Sequence, residues 1–156
     1  MNTFLQIKDN IVDFLAFIKP TGAETYLLTI GAAIGLFLSI ALGGMDSMIY
    51  ALMALMAIDY ITGIVAACKD GKWNSSTGFT GLLKKAVILV VVMLCNTVDV
   101  ATGSHYLRQM AICAYALNEA GSIVENVDRM GYGEYIPSFI RHALARLQEK
   151  SEGEQK

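Results

Sequence analysis

Asp59 stands in the stretch LMAIDYITGIVAAC, within a run from Met48 to Cys68 that is otherwise apolar or small. A carboxyl near the middle of a membrane-length helix costs about 2.5 to 3.5 kcal/mol, so such a residue is turned away from lipid and toward protein or water. On a helix Asp59 shares a face with Thr62, Gly63 and Ala66, at spacings of three, four and seven. The residue is therefore expected to be paired, protonated or hydrated. It acts either as a hydrogen-bonded carboxyl that fixes helix register or as a group facing a water path or gating an assembly.

A set of candidate partners lies further along the chain. Arg108, Tyr115, Asn118, Glu119, Ser122, Glu125, Asn126 and Arg129 recur at three-to-four spacing along one side of a helical segment, and Asp99 ends the apolar run before it. If this stripe faces Asp59, carboxylates crowd together unless Arg, Asn or protons intervene. The other reading is a solvated face at the cytoplasmic membrane surface. Asp59, Thr62, Asp99, Asn118, Glu119, Ser122, Glu125 and Asn126 form the candidate intramembrane polar or gating set.

Two further patterns concern packing and lipid. Gly31, Gly35, Ser39 and Gly43 fall at every fourth position, leaving a face with almost no side chain on which another helix backbone can rest. That face packs either within one subunit or between subunits of a homo-oligomer. Lys69, Lys72, Lys84 and Lys85 flank a stretch rich in Gly, Ser and Thr, and are candidate contacts to anionic lipid headgroups at about 1 kcal/mol each. The same stretch lacks the GxxxxGK[ST] spacing of a phosphate-binding loop.

Other chemistry is not legible. His105 and His142 are isolated, and Cys68, Cys95 and Cys113 sit far apart in apolar runs, so neither a catalytic constellation nor a metal site or disulfide framework is expected. No cofactor is implied. A net charge of −2, with Lys and Arg not clustered among aromatics, excludes a nucleic-acid groove.

The elements that must position these residues follow from hydropathy. With 54% hydrophobic and only 17% charged residues, the chain has more apolar surface than one domain of 156 residues can bury. Phe4 to Ile18 alternates apolar and charged residues as a short amphipathic helix, which Pro20 and Gly22 end; a cleaved signal peptide is not expected there. Three apolar runs of spanning length follow, around residues 23–44, 48–68 and 86–102. The segment 104–126 is a fourth span of mixed polarity, and IPSFIRHALARLQEK is an amphipathic tail.

Basic residues orient the set, since cytoplasmic flanks hold the excess of Lys and Arg. With four spans and both ends inside, only Arg108 is left outside, whereas three spans would export the basic tail. The expected fold is thus an all-α, multi-pass membrane protein with four transmembrane helices, three being the alternative. Its parts are an N-terminal amphipathic helix (1–22), a transmembrane bundle (23–128) with a cytoplasmic loop (69–85), and a C-terminal amphipathic tail (129–156).

The blocks AIDYITGIVAACKDGKWNSSTGFTGLLKKAVIL, Ala57 to Leu89, and NEAGSIVENVDRMG…IPSFIRHAL, Asn118 to Leu144, resemble the bacteriophage holin family that includes the toxin-secretion holins of clostridia. The resemblance implies a protein that oligomerises in the host bacterial cytoplasmic membrane and opens timed lesions. An endolysin or toxin leaves through them, the host lyses, and no substrate is turned over. The matching positions are Asp59, Thr62 and Gly63; Gly71, Lys72, Ser76, Gly78, Gly81, Lys84 and Lys85; and Asn118, Glu119, Ser122, Glu125 and Asn126. The link GYGEYIP departs from the pattern by being longer.

Overall fold

A computed structural model describes residues 22–153, so the amphipathic helix expected over Phe4 to Ile18 lies outside the described residues. Five α-helices and one 3-10 turn make up the described chain: α1 (Gly22–Ala41), α2 (Ser47–Lys69), α3 (Ser75–Thr102), α4 (Leu107–Arg129), the turn Gly133–Tyr135, and α5 (Ser138–Gly153). The chain divides into two compact units, residues 1–40 and 41–156. In the first, α1 buries none of its residues, and Thr29 folds its hydroxyl back onto the Thr25 carbonyl at 2.8 Å.

In the second unit α2, α3 and α4 begin where a side chain satisfies their first amides. Asp46 caps α2 by accepting from the Ile49 amide at 3.0 Å, and Asn74 caps α3 by accepting from the Thr77 amide at 2.8 Å. The start of α4 has no such local cap. Asp99, one helix earlier, reaches across the turn and accepts from the amides of Leu107 at 3.2 Å and Arg108 at 2.8 Å, and from the Ser104 hydroxyl. Asp99 therefore closes the α3–α4 turn and is no member of a mid-bundle polar set.

Helix direction follows from which ends meet. Arg108, at the start of α4, bonds Asp46 before α2, while Arg129, at the end of α4, bonds Asp70 after α2. These helices are parallel, and α3 returns antiparallel to both. Packing is closest along α4, which lies against both α2 and α3. An apolar core of Leu42, Ile49, Leu52, Met56, Val92 and Ile112 occupies the half of this bundle nearer the Leu42 turn.

Two boundaries differ from the sequence reading. The stretch Lys69 to Lys85, expected as a loop, is irregular only between the end of α2 and Ser75. Asn74 starts a helix that runs through Gly78 and Gly81, because tertiary packing outweighs the modest helix penalty of glycine. The Tyr60 ring lies against α3 at Gly81, where an added Cβ would sit 3.5 Å away, at ordinary contact distance. Gly43 lies past the end of α1 at φ +78°, and it belongs to a turn instead of the every-fourth-residue face.

The distribution of polarity is inverted relative to a water-soluble bundle. Lys85, Asp99, Arg108, Glu119 and Asn126 are buried, while Ile61, Val65, Val87, Val90, Leu94 and Val100 are exposed. An exposed apolar surface of that extent is matched by lipid, with the polar groups turned inward. α1, α2 and α3 are each long and apolar enough to cross a membrane. α4 does not reach that hydropathy, because the face it turns toward its neighbours is polar.

Candidate functional site

Lys85 is the residue around which the site forms. Lys84 and Lys85 are adjacent, so on a helix they point about 100° apart, and only one is buried in the bundle. That one is Lys85, whose side chain is 11% exposed. Its ammonium donates to Asp59 Oδ2 at 2.8 Å and to Glu119 Oε2, tying α2, α3 and α4 together at one point. The assignment of Lys85 as a headgroup contact is thereby corrected. With two carboxylates converging on this interior face, the ammonium gains more by neutralising them than by reaching out to the membrane surface.

The triad continues toward the loop end of the bundle. Asn126 donates to Asp59 Oδ1 at 3.0 Å and to the Thr62 hydroxyl at 3.3 Å, while Thr62 donates to the Ile58 carbonyl at 2.9 Å. Arg129 donates to Asn126 Oδ1 at 3.3 Å and to Asp70 Oδ2 at 2.7 Å. A single line of polar contacts thus runs Glu119, Lys85, Asp59, Asn126, Arg129, Asp70. At its outer end the Arg129 guanidinium holds the Asp70 carboxyl below its ordinary range.

Beside this line lies a cavity of about 620 Å³ between α2, α3 and α4. Asp59, Tyr60 and Gly63 line it from α2, and Asn118, Glu119, Ser122 and Asn126 from α4. Lys72 and Trp73 from the loop, Gly78, Gly81, Lys84 and Lys85 from α3, and Arg129 at the end of α4 also line it. The three sequence blocks singled out by type and spacing therefore meet at one place, and Asp59 faces protein and cavity.

Other candidates are placed differently. Glu119 and Asn126 are buried, Ser122 is half-buried and Asn118 is exposed at the cavity, whereas Glu125 is exposed away from it, so the α4 stripe is split. Lys69 leaves the cavity: its ammonium donates to the Met130 carbonyl at the end of α4 and lies 5.8 Å over the Tyr132 ring. Gly31, Gly35 and Ser39 are all on α1.

A second buried cation, Arg108, is grouped by spacing with the possible partners of Asp59 but sits instead at the Leu42 end of the bundle. Arg108 donates to the Leu42 carbonyl, to the Gly44 carbonyl at 3.2 Å and to Asp46 Oδ2 at 2.8 Å. Gly43 has room for no Cβ here, since one would run into Asn96 and the Arg108 guanidinium. Hydrogen bonding to Arg108 holds the Asp46 carboxyl below its ordinary range. The signal available in the sequence was that Arg108 is the lone basic residue between the third apolar run and Arg129.

Comparison with known proteins adds a family to this geometry. A sequence model described as the bacteriophage holin family matches residues 36–149. An uncharacterized protein of Clostridium perfringens strain 13 is 34% identical over 111 residues, covering 70% of this chain and 81% of its own. An uncharacterized protein of Listeria innocua is 32% identical over 114 residues, covering 72% of this chain and 80% of its own. A probable holin of Bacillus phage phi105 is 30% identical over 94 residues, covering 60% of this chain and 68% of its own. No solved structure matches the chain.

Proposed function

The chain belongs to the bacteriophage holin family, and from that premise we propose that it is a holin: it accumulates in the bacterial cytoplasmic membrane, assembles into homo-oligomers, and opens timed lesions through which an endolysin or toxin leaves. The observation that carries this reading is the match over most of the chain, together with the phage relative described as a probable holin. α4 supports four spans, since it runs parallel to α2 from Asp46 at one end to Asp70 at the other and cannot stay with a spanning α2 unless it crosses too. Lys69, Lys72, Lys84, Arg129 and Arg141 then lie on the cytoplasmic side and Arg108 on the outer side, which puts both termini inside.

The polar groups give the reading a mechanism. Within one subunit Asp59, Lys85, Glu119 and Asn126 satisfy one another away from lipid. When many subunits meet, the same groups line a water-filled defect, where their desolvation cost is recovered. Charges in the bilayer also feel about 2.3 kcal/mol per charge per 100 mV, which ties opening to membrane energisation. Gly31, Gly35 and Ser39 supply the small-residue face through which subunits join.

Regulated expression with a cytoplasmic endolysin tests this function. The expected result is a delay, then abrupt growth arrest with release of endolysin activity, advanced by an uncoupler. Ion leakage without endolysin release favours a channel, and undisturbed growth favours a non-pore adaptor. Gly35→Leu is expected to lose crosslinked oligomers while still inserting; unchanged oligomers would remove α1 from the interface.

A further inference from the structure

The cavity holds charge that its own network does not use. Asp59 and Glu119 are taken by Lys85, and Arg129 by Asp70 and Asn126. Lys72 and Lys84 also line the cavity, are exposed, and have no ion-pair partner among the described residues. Lys72 also feels Asp70, but that carboxylate is already paired with Arg129, so the concavity keeps a net positive charge that selects an anion.

Position restricts which anion. Twenty-eight residues make α3 about 42 Å long, against roughly 30 Å of hydrocarbon, so one end of α3 stands in the headgroup layer. Lys72 and Trp73 belong to the turn before that helix, and tryptophan is the residue that settles at headgroup level. The volume, about 620 Å³, lies within the range of ordinary small-ligand sites, roughly 300 to 1,000 Å³. Tyr60 gives the wall an aromatic face, while Asn118 and Ser122 supply uncharged hydrogen-bonding groups of the kind that hold hydroxyls.

We propose that this cavity is a binding site for the headgroup of an anionic phospholipid of the cytoplasmic leaflet, with Lys72 and Lys84 holding the phosphodiester and Asn118 and Ser122 facing its polar substituent. The site rests on the orientation given under the proposed function, which puts the loop end of the bundle at the cytoplasmic leaflet. It differs from general attraction of a basic loop to a charged surface in being saturable and confined to one concavity. Lys69, committed to Met130 and Tyr132 outside the cavity, has no part in it.

Trp73 is the single tryptophan of the chain and reports on the site directly. The full chain is placed in nanodiscs of phosphatidylcholine with rising fractions of phosphatidylglycerol, and Trp73 emission is followed. A saturating change is expected, with half-saturation raised about 30-fold in K72Q/K84Q, roughly five-fold per lysine, and unmoved in K69Q. A change that grows linearly, or is equal in parent and K72Q/K84Q, overturns the proposal. A lysine-dependent response to soluble glycerol phosphate in pure phosphatidylcholine discs overturns the lipid as the source and assigns a free phosphate. K72M/K84M, checked for parent helicity by circular dichroism, repeats the test with a second variant. Lysis is not the readout, so absence of lysis with intact binding rejects only the holin function, and lysis without saturable binding rejects only this site.

Discussion

The α2–α3–α4 bundle buries two cations, Arg108 at its Leu42 end and Lys85 near mid-length, and the two are handled in opposite ways. Arg108 spreads its guanidinium over two carbonyls and one carboxylate, and thereby pins the Leu42–Asp46 turn to α4. Lys85 offers one compact ammonium to two carboxylates and opens onto a cavity. Arginine's planar fork suits a fixed latch with several acceptors, while lysine is a point charge on a flexible stem that can trade partners. The apolar layer of Ile49, Leu52, Met56, Val92 and Ile112 separates them. The Leu42 end is therefore built to stay closed, while the middle of the bundle keeps its polar groups next to open space.

Removing the inner cation should have the largest effect. Lys85→Met leaves Asp59 and Glu119 facing each other without a counter-charge, at a cost of about 3–5 kcal/mol, visible as a lower melting temperature of the purified protein in detergent. Adding Asp59→Asn and Glu119→Gln should recover most of that loss; parent-like melting of the single variant would mean that the cluster does not hold the bundle.

The outer latch is broken next. Gly43→Ala places a Cβ against Asn96 and Arg108 on a left-handed backbone, which alone costs about 1–2 kcal/mol before the clash is added. The same melting assay reads it, and a neutral result would mean the latch is looser than its contacts imply.

At the inner wall a smaller change of opposite sign is expected. Gly81→Ala puts a methyl at ordinary contact distance from Tyr60 and gains helix propensity, raising stability by up to about 1 kcal/mol. A loss on chemical denaturation would instead indicate that Tyr60 needs the full width of the groove.

Acid separates the two cation sites most finely. The Asp46 carboxyl is held low by Arg108, so its contribution is present above the unfolded-state value near 3.9 and is lost as pH falls through the lower folded value. With the Asp46 side chain 44% exposed, the contribution stays under about 1 kcal/mol. Unfolding measured between pH 6 and 3 should lose this component in Asp46→Asn; an unchanged pH profile would detach Asp46 from the latch.

How far the site was legible depends on the period of each pattern. Asp59, Glu119 and Asn126 stood out because a polar residue in an apolar helical run has only the interior to face, and they do meet. Asp99 looked alike in sequence and yet caps α4, since distance from a helix end is invisible until the turn after it is known. The Gly-rich stretch before Lys84 read as a loop because its composition is that of a loop, while Asn74 caps it as the first turns of α3 and it packs beside Tyr60. Lys84 and Lys85 were indistinguishable as flanking basic residues, although a rotation of about 100° sends one to the cavity mouth and the other into the triad.

The local pattern of the chain already carried three apolar runs of spanning length, the membrane as their solvent, and most of the polar residues that had to be hidden, but not the start of the third helix at Ser75. Hydropathy and period carry that information locally, residue against residue along one helix. Only the tertiary structure decided which polar residue meets which, that Lys85 neutralises Asp59 and Glu119 while Arg108 locks the opposite turn, and that a cavity opens beside the first and not the second. Those pairings depend on helix direction, rotation and depth across neighbours, and a single chain's periodicity does not encode the relative register of two helices.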